Sequence, residues 1–185
     1  MNMPEVEDGV LVRRVRQGDL EAYGELVRRY QGSVFGVCYR LLGERQEAED
    51  LAQDAFLRGY QRLDTFDLAY PFGPWIRRVA ANLCLNRLQR SRPVTVELDE
   101  EGGWQGVSSG PSPEAVTVRH EQAEEVRAAI LALPPVYRTV IELRHYQDAT
   151  YDEIARTLHL PLSDVKSHLF RARRMLSRRL MDHDG

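Results

Sequence analysis

Apolar residues recur at steps of three and four through the first part of the chain. Ala22, Tyr23, Leu26, Val27, Tyr30, Val34, Val37, Cys38 and Leu41 make one stripe, which marks an amphipathic helix with a single buried side. Asp19 stands where a helix N-cap is needed and Gly43 where a helix can stop. Ala48, Leu51, Ala52, Ala55, Phe56 and Leu63 continue the rhythm in a second helix. Residues 67–74 break it, with Pro71, Gly73 and Pro74. Pro74 suits the first turn of a third helix that runs to about residue 90.

The pattern then fails over residues 93–113, where Gly102-Gly103, Ser108-Ser109-Gly110 and prolines read as an extended or flexible linker. Trp104 is its lone tryptophan; it either anchors on a partner or tucks onto its own domain. Helical rhythm resumes at about residue 116 and runs to residue 133. Pro134-Pro135 ends that helix and can start the next, residues 136–145. Thr150 and Glu153 have capping-box spacing for a helix over residues 151–158. Ser163 is the expected cap of a last helix reaching about residue 179. No strand signal appears. The fold class is therefore all-α: a tail (1–9), a helical domain (10–92), a flexible acidic linker (93–115) and a second helical domain (116–182).

Of the last two helices the first is short, a tight connection follows, and the second is rich in base. That is a helix-turn-helix, in which one helix braces a second lying in a major groove. At 100° per residue, Val165, Leu169, Ala172 and Leu176 share one side of the last helix, to pack on Ile154, Ala155 and Leu158. Lys166, Ser167, Phe170, Arg171 and Arg174 share the other. Arg can bridge guanine O6 and N7, and Lys neutralises phosphate. Arg173, Arg174, Arg178 and Arg179 come late in the helix and suit backbone contacts. A basic helix face alone is commonly just solvated. The capping box, tight connection and arginine run together point to DNA. His168 falls nearer the buried side and is assigned to packing.

Charge adds what the net value of −3 conceals. Residues 68–92 hold five Arg and no acid; residues 93–118 hold five acids and no Lys or Arg. Two basic blocks separated by an acidic strip suggest two nucleic-acid contacts joined by a segment that avoids DNA. Cys38 and Cys84 sit in apolar helical patterns and are expected to be free buried thiols. No Cys-x-x-Cys pair exists and the five histidines are scattered, so neither metal nor cofactor is expected. There is no apolar run long enough for a membrane span and no secretory signal pattern, so the expected location is cytoplasmic, without membrane insertion.

Residues 47–60 form an acidic amphipathic helix whose polar side carries Asp50, Gln53 and Asp54, next to Phe56 and Leu57. Such a face can dock on another protein, or be an ordinary surface. Here the motifs become specific. The run Asp50-Leu51-Ala52-Gln53-Asp54-Ala55-Phe56 is followed by Pro74-Trp75-Ile76-Arg77-Arg78-Val79-Ala80-Ala81-Asn82, by Leu133-Pro134-Pro135-Val136-Tyr137-Arg138 and by Val165-Lys166-Ser167-His168-Leu169-Phe170-Arg171-Ala172-Arg173. In this order and spacing the chain resembles an RNA polymerase sigma factor of the extracytoplasmic-function (ECF, group 4) type in the sigma-70 family.

The resemblance implies two domains, sigma-2 and sigma-4, and no catalysis by the chain itself. Asp50, Gln53, Asp54, Phe56 and Leu57 would bind the clamp helices of the largest subunit of core RNA polymerase. Residues 66–72, backed by Trp75 and Asn82, would hold a base flipped from the non-template strand of the −10 element. Phe66, Asp67, Tyr70, Phe72, Arg77, Arg78, Asn82 and Arg87 would be the contacts. Ser163, Asp164, Lys166, Ser167, Phe170, Arg171, Arg173 and Arg174 would read −35 duplex, near the flap of the second-largest subunit. An anti-sigma factor would restrain the protein. On chemistry alone, Phe66, Tyr70 and Phe72 offer stacking surfaces and Arg77, Arg78 and Arg87 phosphate anchors. Core packing competes for the aromatics, and is favoured for Trp75. Asn82 can address a base edge or fix the loop. Asp164 and His168 depart from the family's usual residues, which leaves the −35 preference open. Two other classes compete: a helix-turn-helix regulator that binds duplex unaided, and a nucleic-acid enzyme. The docking helix and aromatic loop speak against the first. The second lacks clustered carboxylates.

Overall fold

The computed structural model describes residues 7–91 and 118–181. The expected linker, Trp104 within it, and most of the N-terminal tail lie outside the described residues. Eight α-helices are present among those described, with no strand: α1 (Asp8–Arg16), α2 (Leu20–Leu42), α3 (Arg45–Gln61), α4 (Phe72–Ser91), α5 (Val118–Leu131), α6 (Pro135–Ile141), α7 (Tyr151–Leu158) and α8 (Leu162–Met181).

The punctuation follows local chemistry. Asp19 caps α2 by accepting from the Ala22 N–H, and Gly43 ends it at φ 80°, where a Cβ is disfavoured. Thr150 and Glu153 complete the capping box of α7. Three boundaries differ from the sequence expectation. The tail expected over residues 1–9 is cut short, because a separate helix, α1, already begins at Asp8. The helix opened by Pro135 does not stay regular: after Ile141 it widens into a π turn over Glu142–Tyr146. Ser163 is not a cap. α8 starts one residue earlier, the Pro161 carbonyl takes the Asp164 and Val165 N–H groups, and the Ser163 hydroxyl turns to Asp164 Oδ1 at 3.2 Å.

The first half is a bundle of α2, α3 and α4 with α1 across it. Leu26, Val34, Val37 and Leu41 of α2 meet Ala48, Ala52 and Ala55 of α3 and Ile76, Ala80 and Cys84 of α4, all buried. Small residues on α3 permit close approach: a Cβ at Gly59 would lie 2.6 Å from Ile76 Cδ1. Cys38 and Cys84 are free and buried. The Cys38 thiol and then burial push Cys84 up, so it stays a thiol. The second half packs Val165, Leu169 and Ala172 of α8 on Ile154 and Leu158 of α7 and on Val140 and Ile141 of α6. Full burial of one such aliphatic side chain stabilises by about 1.5–3 kcal/mol. One apolar cluster runs through both halves.

Four arginines seal the seam between the halves. Arg40 of α2 makes two 2.8 Å bonds to the buried carboxylate of Glu142 and stacks over Tyr146. Arg78 of α4 pairs with Glu153 at 2.7 Å. Arg127 of α5 lies 3.9 Å over the Tyr39 ring. Arg138 of α6, itself buried, donates to the carbonyl of Leu41 across the seam and to those of Leu131 and Leu133.

Candidate nucleic-acid and polymerase interfaces

α8 carries the first surface. Ser163, Asp164, Lys166, Ser167, Phe170, Arg171, Arg173 and Arg174 are all exposed on it, Phe170 by 66%. A phenyl ring left in water among arginines is a contact surface awaiting an occupant. The Tyr137 hydroxyl of α6 lies against Arg171 and raises its already high pKa, so this guanidinium is pre-placed. Arg173 leans on His145 Nε2 at 3.4 Å. The tight turn into α8 uses His159 at φ 54°, an uncommon left-handed position for a residue with a Cβ. His168 is half-buried against the Tyr137 ring, 5.3 Å between centroids.

The second surface is the outer side of α3. Asp50, Gln53, Asp54 and Leu57 are exposed, Leu57 by 61%. Phe56 was expected to share that side. It is instead only 7% exposed, because the helix turns it toward α2. It lines, with Val27, Gln31, Phe35, Ala52 and Gln53, a groove of about 390 Å³ between α2 and α3. Of the groove's α2 residues, Val27 belonged to the apolar stripe, while Gln31 and Phe35 carried no sequence signal.

The third surface is the loop between α3 and α4. Tyr70 is 60% exposed and Asp67 and Leu68 are exposed as well. Asp67 Oδ1 accepts from the Ala69 N–H at 2.9 Å, a turn that lifts the tip outward. The expectation that Phe66 and Phe72 offer free faces is corrected. Phe66 (5% exposed) and Phe72 (1%) form a nest with Trp75, with centroids 5.0–5.8 Å apart. Packing wins because three rings on one helical turn and its approach can bury one another. Trp75 and Asn82 are half-buried on α4. Arg77 stands close enough to the Tyr30 phenol to act on it electrostatically. Arg78 and Arg87 are engaged within the chain, with Glu153 and Glu47, each at 2.7 Å.

A cavity of about 530 Å³ opens beside this loop, lined by Phe66, Leu68, Tyr70 and Phe72 and also by Asp8, Arg13 and Arg29. Sequence reasoning gave α1 no part in it. Among the described residues, no group of His, Cys, Asp and Glu could hold a metal ion, and no helix is long and apolar enough to cross a membrane.

The geometry is that of a helical protein with an exposed basic helix, α8, in one half and an exposed aromatic loop plus an exposed acidic helix face in the other. Comparison with known proteins is consistent with it. Residues 26–93 match the family Sigma-70 region 2, and residues 123–176 match Sigma-70, region 4. The chain is 35% identical over 178 residues to the ECF RNA polymerase sigma factor SigW of Bacillus subtilis, covering 92% of this chain and 95% of that one. It is 32% identical over 185 residues to the ECF RNA polymerase sigma-E factor of Escherichia coli K12, covering 95% of each. Among solved structures it is similar to CnrH in complex with the cytosolic domain of CnrY, with 26% identity, TM-score 0.63, and 96% and 99% of the two chains covered. The chain belongs to the ECF group of the sigma-70 family of RNA polymerase sigma factors. It is a transcription initiation factor that directs polymerase to promoters.

Proposed function

We propose that the three surfaces divide the work of initiation. α3 and the α2–α3 groove engage the clamp helices of core polymerase through Asp50, Gln53, Asp54 and Leu57, with Phe56 as groove floor. The loop of residues 66–72, with Arg77 and Asn82 along α4, captures the non-template strand of the −10 element; Arg78 and Arg87 join once they exchange Glu153 and Glu47 for phosphate. Tyr70 supplies the stacking face, while Phe66 and Phe72 support the loop from beneath. α8 reads −35 duplex, with the second half beside the flap of the second-largest subunit. The observation that carries this reading is the coexistence of a solvent-exposed Phe170 among arginines and a solvent-exposed Tyr70 beside a cavity, on opposite halves of one chain.

The chain performs no covalent chemistry in this reading; it redirects that of polymerase from the cytoplasm. An anti-sigma factor restrains it, a proposal supported by the similarity to CnrH, which was solved bound to the cytosolic domain of CnrY. Run-off transcription with purified core polymerase on a library of genomic fragments tests the whole reading. Initiation at a defined subset of templates is the expected result, and silence on every fragment refutes it. Asp54→Lys should abolish co-migration with core polymerase while leaving the helical content intact, as read by native gel and circular dichroism.

A further inference from the structure

The loop of residues 66–72 is tied at both ends to α1. At its entry, Arg16 donates to the Leu63 carbonyl from Nε at 3.2 Å and Nη2 at 2.8 Å, and Nη2 also reaches the carbonyls of Asp64 and Phe66. At its exit the tie is a relay. Asp8, the first residue of α1, accepts from the Tyr30 hydroxyl and from Arg29 Nη1 at 3.0 Å. The Tyr30 ring packs on Phe72, 5.6 Å between centroids, and a Cβ on Gly73 would come within 2.5 Å of it. Burial first, and then the Asp8 carboxylate, push the Tyr30 phenol up to about 12, so it remains a donor.

Between these two ties sits Arg13. It is exposed, makes no ion pair among the described residues, and lines the same cavity as Leu68 and Tyr70. The cavity's volume of about 530 Å³ falls inside the ~300–1,000 Å³ range of small-ligand sites.

We propose that α1 is the frame that positions the strand-capture loop, and that Arg13 is a phosphate contact for the single-stranded DNA held there. This rests on the reading of residues 66–72 as the capture loop. The two arginines divide by chemistry. Arg16 spends its donors on three backbone carbonyls in one small arc, which a planar fork can span and a lysine's single ammonium cannot. It is therefore a positioning residue. Arg13 has its fork free, permanently charged, beside an aromatic face, which is the pairing that takes a nucleotide as phosphate plus base. In this frame the ties at both ends of the loop, and not its contacts with ligand, define the opening.

The test uses the full chain in complex with core polymerase. The probe is a fluorescent single-stranded DNA with a randomised ten-nucleotide stretch, read by anisotropy across a salt series and by sequencing of the bound pool. Wild type should capture strands and enrich one sequence. Arg13→Ala should weaken capture about tenfold and flatten the plot of log affinity against log salt by about 0.7, the loss of one phosphate contact on a single strand. Arg16→Ala should keep the salt slope but lose the enriched sequence, and Arg16→Lys should not restore it. Tyr30→Phe, which deletes only the hydroxyl on Asp8, should blunt the enrichment as well, and it stands in for Arg16→Ala if circular dichroism finds that variant unfolded. All should bind core polymerase as wild type does. An unchanged affinity and slope for Arg13→Ala overturns the phosphate contact, and unchanged enrichment in both framing variants overturns the frame; either result leaves the capture loop intact. A wild-type complex that captures no strand overturns the parent reading instead.

Discussion

Gly73 and Arg171 illustrate what single side chains decide here. A methyl group on Gly73 would lie 2.5 Å from Tyr30 Cε1, and the ring is wedged against Phe72 and tethered to Asp8, so it cannot swing away freely. Gly73→Ala should lower stability by about 1–3 kcal/mol, the range for overpacking a filled core, seen as a lower denaturant midpoint at constant slope. Arg171 has the opposite character: it is exposed, and Tyr137 merely aims it. Arg171→Ala should leave the melting temperature unchanged and weaken promoter duplex binding by about 1–3 kcal/mol if it makes a bidentate base contact. Equal affinity in a filter-binding assay would remove it from the interface. The exposed residues of α8 were legible in the sequence because helical phase separates them from Val165, Leu169 and Ala172. The burial of Phe56, Phe66 and Phe72 was not. A phenylalanine next to a loop reads the same whether it faces solvent or its neighbours, and only the meeting of Phe66, Phe72 and Trp75 in space settles it.

At the scale of elements, the helix-turn-helix carries a built-in acid sensitivity. His168 is pulled below its ordinary value by burial, and His145 by burial and then by Arg173 and Arg144. A folded state that binds protons less readily than the unfolded chain loses stability as pH falls through the unfolded value near 6.5. Glu153 acts in the same direction further down: the Thr150 N–H, and after it Arg78, hold its carboxyl below the usual glutamate value. Its contribution is full above about 4.5 and fades below. Thermal melts followed at Tyr137 or Tyr151 should therefore show the second half weakening between pH 7.5 and 5.5, before the acid loss common to both halves. A flat profile over that window would contradict the assignment. The capping box was readable from spacing alone, since Thr150 and Glu153 act within one turn. The π turn at Glu142–Tyr146 was not: its first residue, Glu142, is bonded to Arg40, a partner 102 positions away that local periodicity does not encode.

On the scale of the molecule, the described halves meet across charged groups as well as apolar ones. Glu142 is 2% exposed and Arg40 about a third. Glu142→Gln should loosen the seam by less than the ~3–5 kcal/mol of a fully buried broken pair, because Arg40 retains water. Small-angle scattering should report a larger radius of gyration for the variant, with helical content unchanged. The sequence foresaw two helical domains, which local periodicity encodes. It was silent on how they sit together, since that depends on long-range partners such as Arg78 with Glu153. In this arrangement Arg78 is occupied by a carboxylate, while α8 and the outer side of α3 stay open.

Arg138 gives that union an asymmetric keystone. Its guanidinium closes the ends of two helices at once, taking the Leu41 carbonyl in the last turn of α2 and the carbonyls of Leu131, the last residue of α5, and Leu133 just beyond it. A protease cut anywhere between residues 91 and 118 would sever the backbone without touching this shared plug. The two fragments should then travel as one species on a sizing column and part only in denaturant, whereas the same cut in Arg138→Met should release them.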